Sequence, residues 1–198
     1  ELVQFANKCE GTESVHLTTN GLLLSKRIKE LEKSGLSGIN ISLDTLDTDK
    51  FKKITRRDGL DMVLNSLQKA LASNIQSIKL NIVAMRDFND DELMDFVELT
   101  KENDITVRFI ELMPFDSHQI WKTGKFYGAD DIVADIKKQV DALKPIDGSR
   151  TEHHIFRVND YKGKVAVIPA YSRSLCGECN RIRITADGKL LNCLYSQD

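Results

Sequence analysis

The feature that most constrains this chain is a rhythm running from Val15 to Lys138, in which short strand-like segments alternate with helix-like ones. "VHLTTN" at 15–20 reads as a strand. "SKRIKELEKSG" follows as a helix, with Ser25 at the N-cap, Ile28 and Leu31 three apart, and Gly35 at the C-terminal stop. "GINISLD" at 38–44 is the next strand, and "LDMVLNSLQKALASN" at 60–74 sets Val63, Leu64, Leu67 and Leu71 at helical spacing. A third strand, "SIKLNIVAM", covers 77–85. The helix "NDDELMDFVELTKEN" at 89–103 opens on Asn89 with Glu92 three residues later, the spacing of a reciprocal cap. "TVRFIELM" at 106–113 closes the series. Repeated β-helix-β units imply parallel strands joined by right-handed crossovers, and so an α/β sheet or barrel.

Strands buried on both faces read as continuous apolar runs, and these do not. His16, Thr18 and Asn20 fall on one face and Val15, Leu17 and Thr19 on the other. Asn40, Ser42 and Asp44 alternate with Ile39, Ile41 and Leu43; Lys79 and Asn81 alternate with Ile78, Leu80 and Ile82; Arg108 sits between Val107 and Phe109. One reading is an antiparallel sheet with a wet side, which the intervening helices argue against. The other is a barrel with a polar lumen, whose site lies at the carboxyl ends of the strands, near Thr18, Ser42 and Met113. After Met113 the pattern changes to a long polar-aromatic connection, "PFDSHQIWKTGKFYG", then one helix, "ADDIVADIKKQV". The strand-like segments "HHIFRV", "KVAVIPAY" and "RIRITADGKLLNCL" follow, the last with Asp187-Gly188 as a hairpin signal. The expected organisation is therefore a region 1–113 and a smaller, mostly β layer over 114–198 that carries the cysteines.

At 198 residues the chain is long enough for a substantial core, and a net charge of −2 offers no single-sign field to recruit nucleic acid or a membrane surface. No apolar run approaches the roughly 20 residues needed to span a bilayer. Of four cysteines, Cys9 stands far from the rest and reads as a free thiol, while Cys176, Cys179 and Cys193 lie close together in "LCGECNRIRITADGKLLNCL". That clustering points to metal chemistry in a reducing compartment rather than to a disulfide scaffold. Three thiolates suit zinc or an iron–sulfur cluster equally well. A closed zinc site wants a fourth ligand, for which His118, His153, His154 and Cys9 are the candidates, none at a convincing spacing. A 4Fe–4S cluster held by three cysteines leaves one iron free to bind substrate. Arg181 and Arg183, one residue apart and so on one strand face, suit a multiply charged anion such as a triphosphate, or else are solvated strand residues.

The segments "LTTNG", "INISLDTLD", "IKLNIVAM", "RFIELMPF" and "CGECNRIRITADGKLLNCL", in this order over residues 15 to 195, resemble the radical-SAM enzymes of molybdenum cofactor biosynthesis, the GTP 3',8-cyclase or MoaA family. The resemblance implies a partial (β/α) TIM-type barrel of the radical-SAM kind, followed by a small layer with an iron–sulfur site. It implies a lyase in which one 4Fe–4S cluster cleaves S-adenosylmethionine to a 5'-deoxyadenosyl radical that abstracts the 3' hydrogen of GTP. The product is 3',8-cyclo-7,8-dihydro-GTP, and a second cluster binds the guanine end of GTP. Matched position by position, Cys176, Cys179 and Cys193 correspond to the ligands of that second cluster. Thr18, Lys79, Arg181, Ile182 and Arg183 correspond to GTP-site positions, Ser42 and Met113 to S-adenosylmethionine-site positions, and Arg108 and Asn81 to the lining of the same cavity.

The chain departs from the family in holding no Cys-x3-Cys-x2-Cys motif, no Gly-Gly-Glu-Pro segment and no glycine-rich tail. It is therefore expected to be an interior piece of a longer protein, lacking the first barrel strands and unable alone to generate the radical; the radical-forming cluster belongs to the full-length protein. The resemblance further implies a cyclic pyranopterin monophosphate synthase downstream, a homodimer, and no nucleic-acid or membrane partner. Location would be the mitochondrial matrix for an animal source, whose members "GLSGINISLDTLD" and "NRIRITADG" resemble, and the cytoplasm for a bacterial one. The alternative is a non-catalytic zinc-binding interaction module on an α/β scaffold.

Overall fold

The computed structural model describes residues 1–113, 124–140, 142–146, 154–172 and 181–192. The elements in chain order are α1 (Leu2–Lys8), β1 (His16–Thr19), α2 (Ile28–Lys33), β2 (Gly38–Ser42), α3 (Thr48–Thr55), α4 (Leu60–Leu71), β3 (Ser77–Ala84), α5 (Leu93–Glu102) and β4 (Thr106–Glu111). They continue with α6 (Ala129–Lys137), β5 (Leu143–Pro145), β6 (His154–Val158), β7 (Lys164–Ile168), β8 (Arg183–Ile184) and β9 (Leu190–Leu191). Seven strands form one sheet in the order β1-β2-β3-β4-β7-β6-β5, while β8 and β9 pair separately. Neighbours from β1 through β4 to β7 are parallel, and β6 and β5 add on antiparallel. The architecture is mixed α/β with a mostly parallel sheet, and that sheet runs unbroken from β4 to β7, across residue 114. Among the described residues no helix is long and apolar enough to cross a membrane.

The period-2 pattern decides which face is covered. Ile39, Ile41, Leu80, Ile82, Val107, Phe109, Val165 and Val167 are at most 1% exposed and share a core with Val63, Leu67 and Ala70 of α4, Phe96 and Val97 of α5, and Ile132 and Ile136 of α6. Each such side chain contributes about 1.5–3 kcal/mol by leaving water. Phe96 meets Phe109 edge-to-face with ring centroids 6.2 Å apart. The crossover helices thus take the apolar face and leave the polar residues of β1 to β4 together on the other.

Local signals are realised unevenly. Gly35 adopts φ +82°, and the Leu36 and Gly35 N–H groups donate to Leu31 and Glu32 carbonyls, so α2 ends in the paired-bond motif its glycine announces. Ser25, expected as the N-cap of a helix from 25, lies instead inside a 3-10 turn, Leu24–Lys26. Its N–H donates to Ser66 Oγ at 3.0 Å, and α2 starts at Ile28 with no side-chain cap. The reciprocal cap expected of Asn89 and Glu92 is also absent. A 3-10 turn, Asp90–Glu92, precedes α5, and both side chains turn inward to partners more distant than their own helix start. Two helices have only short apolar faces: α1, with no buried residue, and α3, where Phe51 and Ile54 lie three apart and only Phe51 is buried, with Asp47 capping at 2.8 Å.

Candidate functional site

Register places the polar residues in two rows. Thr18 pairs with Asn40, Asn40 with Lys79, and Lys79 with Thr106; one step on, Ser42 pairs with Asn81, and Asn81 with Arg108. Directly paired residues point to the same side of a sheet, so Thr18, Asn40, Ser42, Lys79, Asn81 and Arg108 form one surface. Arg108 ties the rows together. Its Nε donates to Asn81 Oδ1 at 2.7 Å, and its Nη2 reaches past β3 to Asn40 Oδ1 at 3.0 Å. Asn40 Nδ2 in turn donates to Thr18 Oγ1 at 3.1 Å. Ala166 faces Arg108 on the next strand. The imidazole of His16 lies against Gly38, where a side-chain carbon would come within 2.3 Å of Nδ1. Partial burial, with the positive charges of Lys79 and Arg108, lowers the His16 pKa below its ordinary value and favours a neutral ring.

The carboxyl ends of the strands are braced by buried polar groups. Asp44 Oδ1 accepts from Val83 N–H at 2.8 Å, continuing the β2–β3 ladder beyond Ser42. Burial raises the Asp44 carboxyl above the usual range, and the Val83 bond opposes that shift. Asn89, 1% exposed, accepts from Met85 N–H at 2.8 Å and donates to the Asp44 and Val83 carbonyls at 2.7 and 2.9 Å. Glu92 accepts from Thr45 Oγ1 at 2.7 and 2.9 Å, from Leu46 N–H at 2.6 Å and from Lys50 Nζ at 2.9 Å. At this end a cavity of about 320 Å³ is lined by Asn20, Leu22, Ser42, Phe51, Thr55 and Arg57. Gly21 lets β1 turn there. Its φ is +77°, and a side-chain carbon would lie 2.9 Å from Val63 Cγ1. Met113 is half-buried, two residues past the end of β4.

The sequence-derived candidates therefore divide. Thr18, Ser42, Lys79, Asn81 and Arg108 come together on one face, and Met113 follows the strand that carries Arg108. Arg181, Ile182 and Arg183 lie on and just before β8 of the hairpin, paired Arg183 to Leu191 and Ile184 to Leu190. Gly188 at φ +88° closes its turn. Antiparallel pairing puts both ends of the hairpin on one side, the side whose chain leads to Cys179 and to Cys193, and Ile182 and Asn192 line one surface hollow there. The three cysteines, His118 and His153 lie outside the described residues. Among the described residues no group of three or more His, Cys, Asp or Glu side chains is arranged to hold a metal ion. Cys9 is exposed, and His154 stacks on Phe156.

Sequence reasoning put Asn40 on the polar face without giving it a role, and it is the hub between Thr18 and Arg108. Thr55 and Arg57 were not anticipated, because α3, which ends at Thr55 and sets Arg57 two residues on, is short and offers only Phe51 and Ile54 as an apolar face. Glu111 gave no signal beyond its position in a strand.

Comparison with known proteins gives the family. The model of the Radical SAM superfamily matches residues 1–100, and that of Molybdenum Cofactor Synthesis C matches residues 105–198. A protein of Chlorobaculum tepidum named GTP 3',8-cyclase is 46% identical over 198 residues, covering 100% of this chain and 60% of its own length. Proteins named molybdenum cofactor biosynthesis protein 1 are 41% identical in Dictyostelium discoideum and 40% in Bos taurus, each covering 98% of this chain and 31% of its own length. The chain thus spans about 60% of the bacterial relative and about a third of the eukaryotic ones. With a polar face on a mostly parallel sheet, and family models matching its two halves in turn, the chain belongs to the radical SAM superfamily, among the proteins of molybdenum cofactor synthesis.

Proposed function

We propose that this chain is an interior portion of a GTP 3',8-cyclase, a lyase that converts GTP to 3',8-cyclo-7,8-dihydro-GTP. The observation that carries the reading is the hydrogen-bonded floor of Thr18, Asn40, Asn81 and Arg108 with Lys79 between them, on the sheet face that the helices leave open. Lys79 and Arg108 supply positive charge for a triphosphate, and Thr18 a hydroxyl; Arg181, Ile182 and Arg183 complete the GTP site from the hairpin. Ser42, with Asn20, Thr55 and Arg57 around its cavity, offers hydroxyl, amide and guanidinium groups that fit the polar ends of S-adenosylmethionine, and Met113 offers its thioether side chain to the same ligand. The thiols of Cys176, Cys179 and Cys193 are a donor set that fits a 4Fe–4S cluster with one iron open to substrate.

When bound, S-adenosylmethionine and the radical-forming cluster of the full-length protein supply the one-electron chemistry; the residues named here bind and orient the nucleotide. Residues 1–113 then form the barrel portion and 114–198 the cluster-binding region. The isolated chain, without Cys-x3-Cys-x2-Cys, is inactive. The same reading includes a homodimer, a cyclic pyranopterin monophosphate synthase acting on the product, and location in the mitochondrial matrix for an animal source or the cytoplasm otherwise.

Anaerobic reconstitution with iron and sulfide tests it. About four irons per chain, a brown protein, measurable GTP binding and no 5'-deoxyadenosine are expected. One zinc, a colourless protein and no GTP affinity after anaerobic purification would overturn the reading in favour of a zinc-binding module.

A further inference from the structure

His16 opens β1, two residues before Thr18 and so on the same face. Its register partner is Gly38 on β2, and that of Gly38 is Ser77 on β3. The row His16–Gly38–Ser77 thus lies beside the row Thr18–Asn40–Lys79, toward the amino ends of the strands. Gly38 is buried, and the imidazole fills the space that a side chain would take there. An added carbon would lie 2.3 Å from His16 Nδ1, 2.6 Å from Cε1 and 3.0 Å from Ser77 Cβ. Gly38 sits in a strand and outside the positive-φ region, so what the position requires is close approach, not backbone freedom. The ring therefore lies over β2, toward the strand that carries Lys79, instead of standing at the sheet edge.

Among the described residues neither ring nitrogen has a hydrogen-bond partner. The charged groups that act on the ring are Lys79 on β3 and Arg108 on β4, both positive. The other neighbours on this face, Thr18 on β1, Gly38 and Asn40 on β2 and Ser77 on β3, are neutral. Partial burial first, then Lys79 and Arg108, lower the pKa and keep the ring neutral in the free chain. A triphosphate resting on Lys79 and Arg108 carries more negative charge than those cations neutralise, and so reverses the sign of the field at the ring. It favours the imidazolium, whose N–H groups donate to phosphate oxygens in short, charge-assisted bonds.

We propose that His16 is a third anion-binding residue of this face, lodged over Gly38, which takes up a proton as a triphosphate binds and donates to its terminal phosphate. This rests on the reading that Lys79 and Arg108 receive the triphosphate of GTP. It also gives the nucleotide a direction. The phosphates run toward the amino ends of the strands, and the nucleoside toward the carboxyl ends, where Ser42 lines the cavity. One proton passes from solvent to the imidazole, and no bond of the nucleotide is broken. A histidine that only filled the space over Gly38 would titrate alike with and without the anion.

The test uses the 198-residue chain as wild type, His16→Gln, His16→Asn and Lys79→Ala, with inorganic tripolyphosphate and GTP as probes. His16 is exposed, so its variants are expected to fold, which circular dichroism checks; if one does not, the other serves. The His16 ring-proton resonance, identified by its loss in the His16 variants, is titrated without and with saturating tripolyphosphate. The expected midpoint is below the ordinary histidine value in the free chain and rises by about one pH unit or more in the complex. Calorimetric affinities for both probes should differ little between wild type and His16→Gln at about pH 8, and by about two- to fivefold in favour of wild type at about pH 6. Tripolyphosphate itself titrates in this range, so wild type and variant are compared at equal pH. An unchanged midpoint with the anion bound, or equal affinities for tripolyphosphate at about pH 6, overturns the proposal; Lys79→Ala still weakening binding would then leave the reading of the face intact. A wild-type chain that binds neither probe, or binding that Lys79→Ala leaves untouched, overturns that reading and the proposal with it.

Discussion

Glu92 offers a sharp test of the structure, because two accounts of the same residue make opposite predictions. Read locally, Asn89 and Glu92 have the spacing of a reciprocal helix cap, in which glutamine serves as well as glutamate and alanine costs about 1 kcal/mol. In the fold Glu92 is 6% exposed and accepts from the hydroxyl of fully buried Thr45, from Leu46 N–H and from Lys50 Nζ. Lys50 also pairs with Asp91 at 2.6 Å, so it keeps a partner when Glu92 is lost. Glu92→Ala therefore leaves two donors unsatisfied, the Thr45 hydroxyl and the Leu46 amide. At about 1–3 kcal/mol for each buried orphan, and less for half-buried Leu46, the cost is about 2–4 kcal/mol. Glu92→Gln keeps one acceptor oxygen but loses the charge opposite Lys50 and faces its NH₂ toward donors, costing about 1–2 kcal/mol. For a chain of this size each kcal/mol lowers the melting temperature by about 2–4 °C. Denaturant unfolding followed by circular dichroism measures both variants, with an unchanged slope confirming that stability alone has moved. A Gln variant as stable as the parent would refute the buried-anchor account.

Three further outcomes are expected. Gly163→Ala puts a carbon 2.3 Å from the Ile105 carbonyl oxygen and 2.7 Å from that of Asn103, both backbone; destabilisation of about 1–3 kcal/mol follows, and a melting temperature equal to the parent's would contradict it. Asp135, with Lys138, Tyr127 and Arg86 as its partners, has its carboxyl lowered to about 2, against about 3.9 in an unfolded chain. A depressed folded value means that its stabilisation is complete above about pH 4 and is lost as pH falls toward about 2, so Asp135→Asn should flatten the acid limb of the stability curve there and leave its pH dependence above pH 5 unchanged. Arg181→Ala and Arg183→Ala should each weaken GTP binding several-fold, in line with about 1.5–3 kcal/mol for a charge-assisted hydrogen bond; calorimetric affinities unchanged in both would mean that the hairpin arginines do not touch the nucleotide.

The sheet and its polar face were legible because a period of two is a global property of a strand. Lys79 and Arg108 had to share a side with Asn40 whatever else surrounded them. The braces at the strand ends were not legible. Asn89 and Glu92 carry a short-range capping pattern, but their actual partners, Asp44, Val83, Thr45 and Leu46, include residues more than 40 positions away, and a buried polar group goes where its bonds are satisfied. Helix α3 escaped notice because Phe51 is its only buried residue. What marks its ends is backbone chemistry instead: the Asp47 cap and Arg56 at φ +58°. Glu111 is the extreme case. Among the described residues its carboxylate accepts from Ala129, Tyr171 and Ser172, 18, 60 and 61 positions downstream, and nothing in "RFIELM" announces a buried carboxylate rather than a strand end.

The hold of Asn81 and Asn40 on Arg108 also has an entropic side. A free arginine side chain has about 2 kcal/mol of rotamer entropy to lose on being fixed. Here Nε and Nη2 are already engaged at 2.7 and 3.0 Å by two amide oxygens on two different strands, so much of that loss is incurred when the sheet forms. An anion meeting this guanidinium finds it close to its final orientation, and the ordering cost that normally offsets such a contact is largely absent from the binding step. The two asparagines, though neutral, thereby act on affinity through a disorder that folding has already removed.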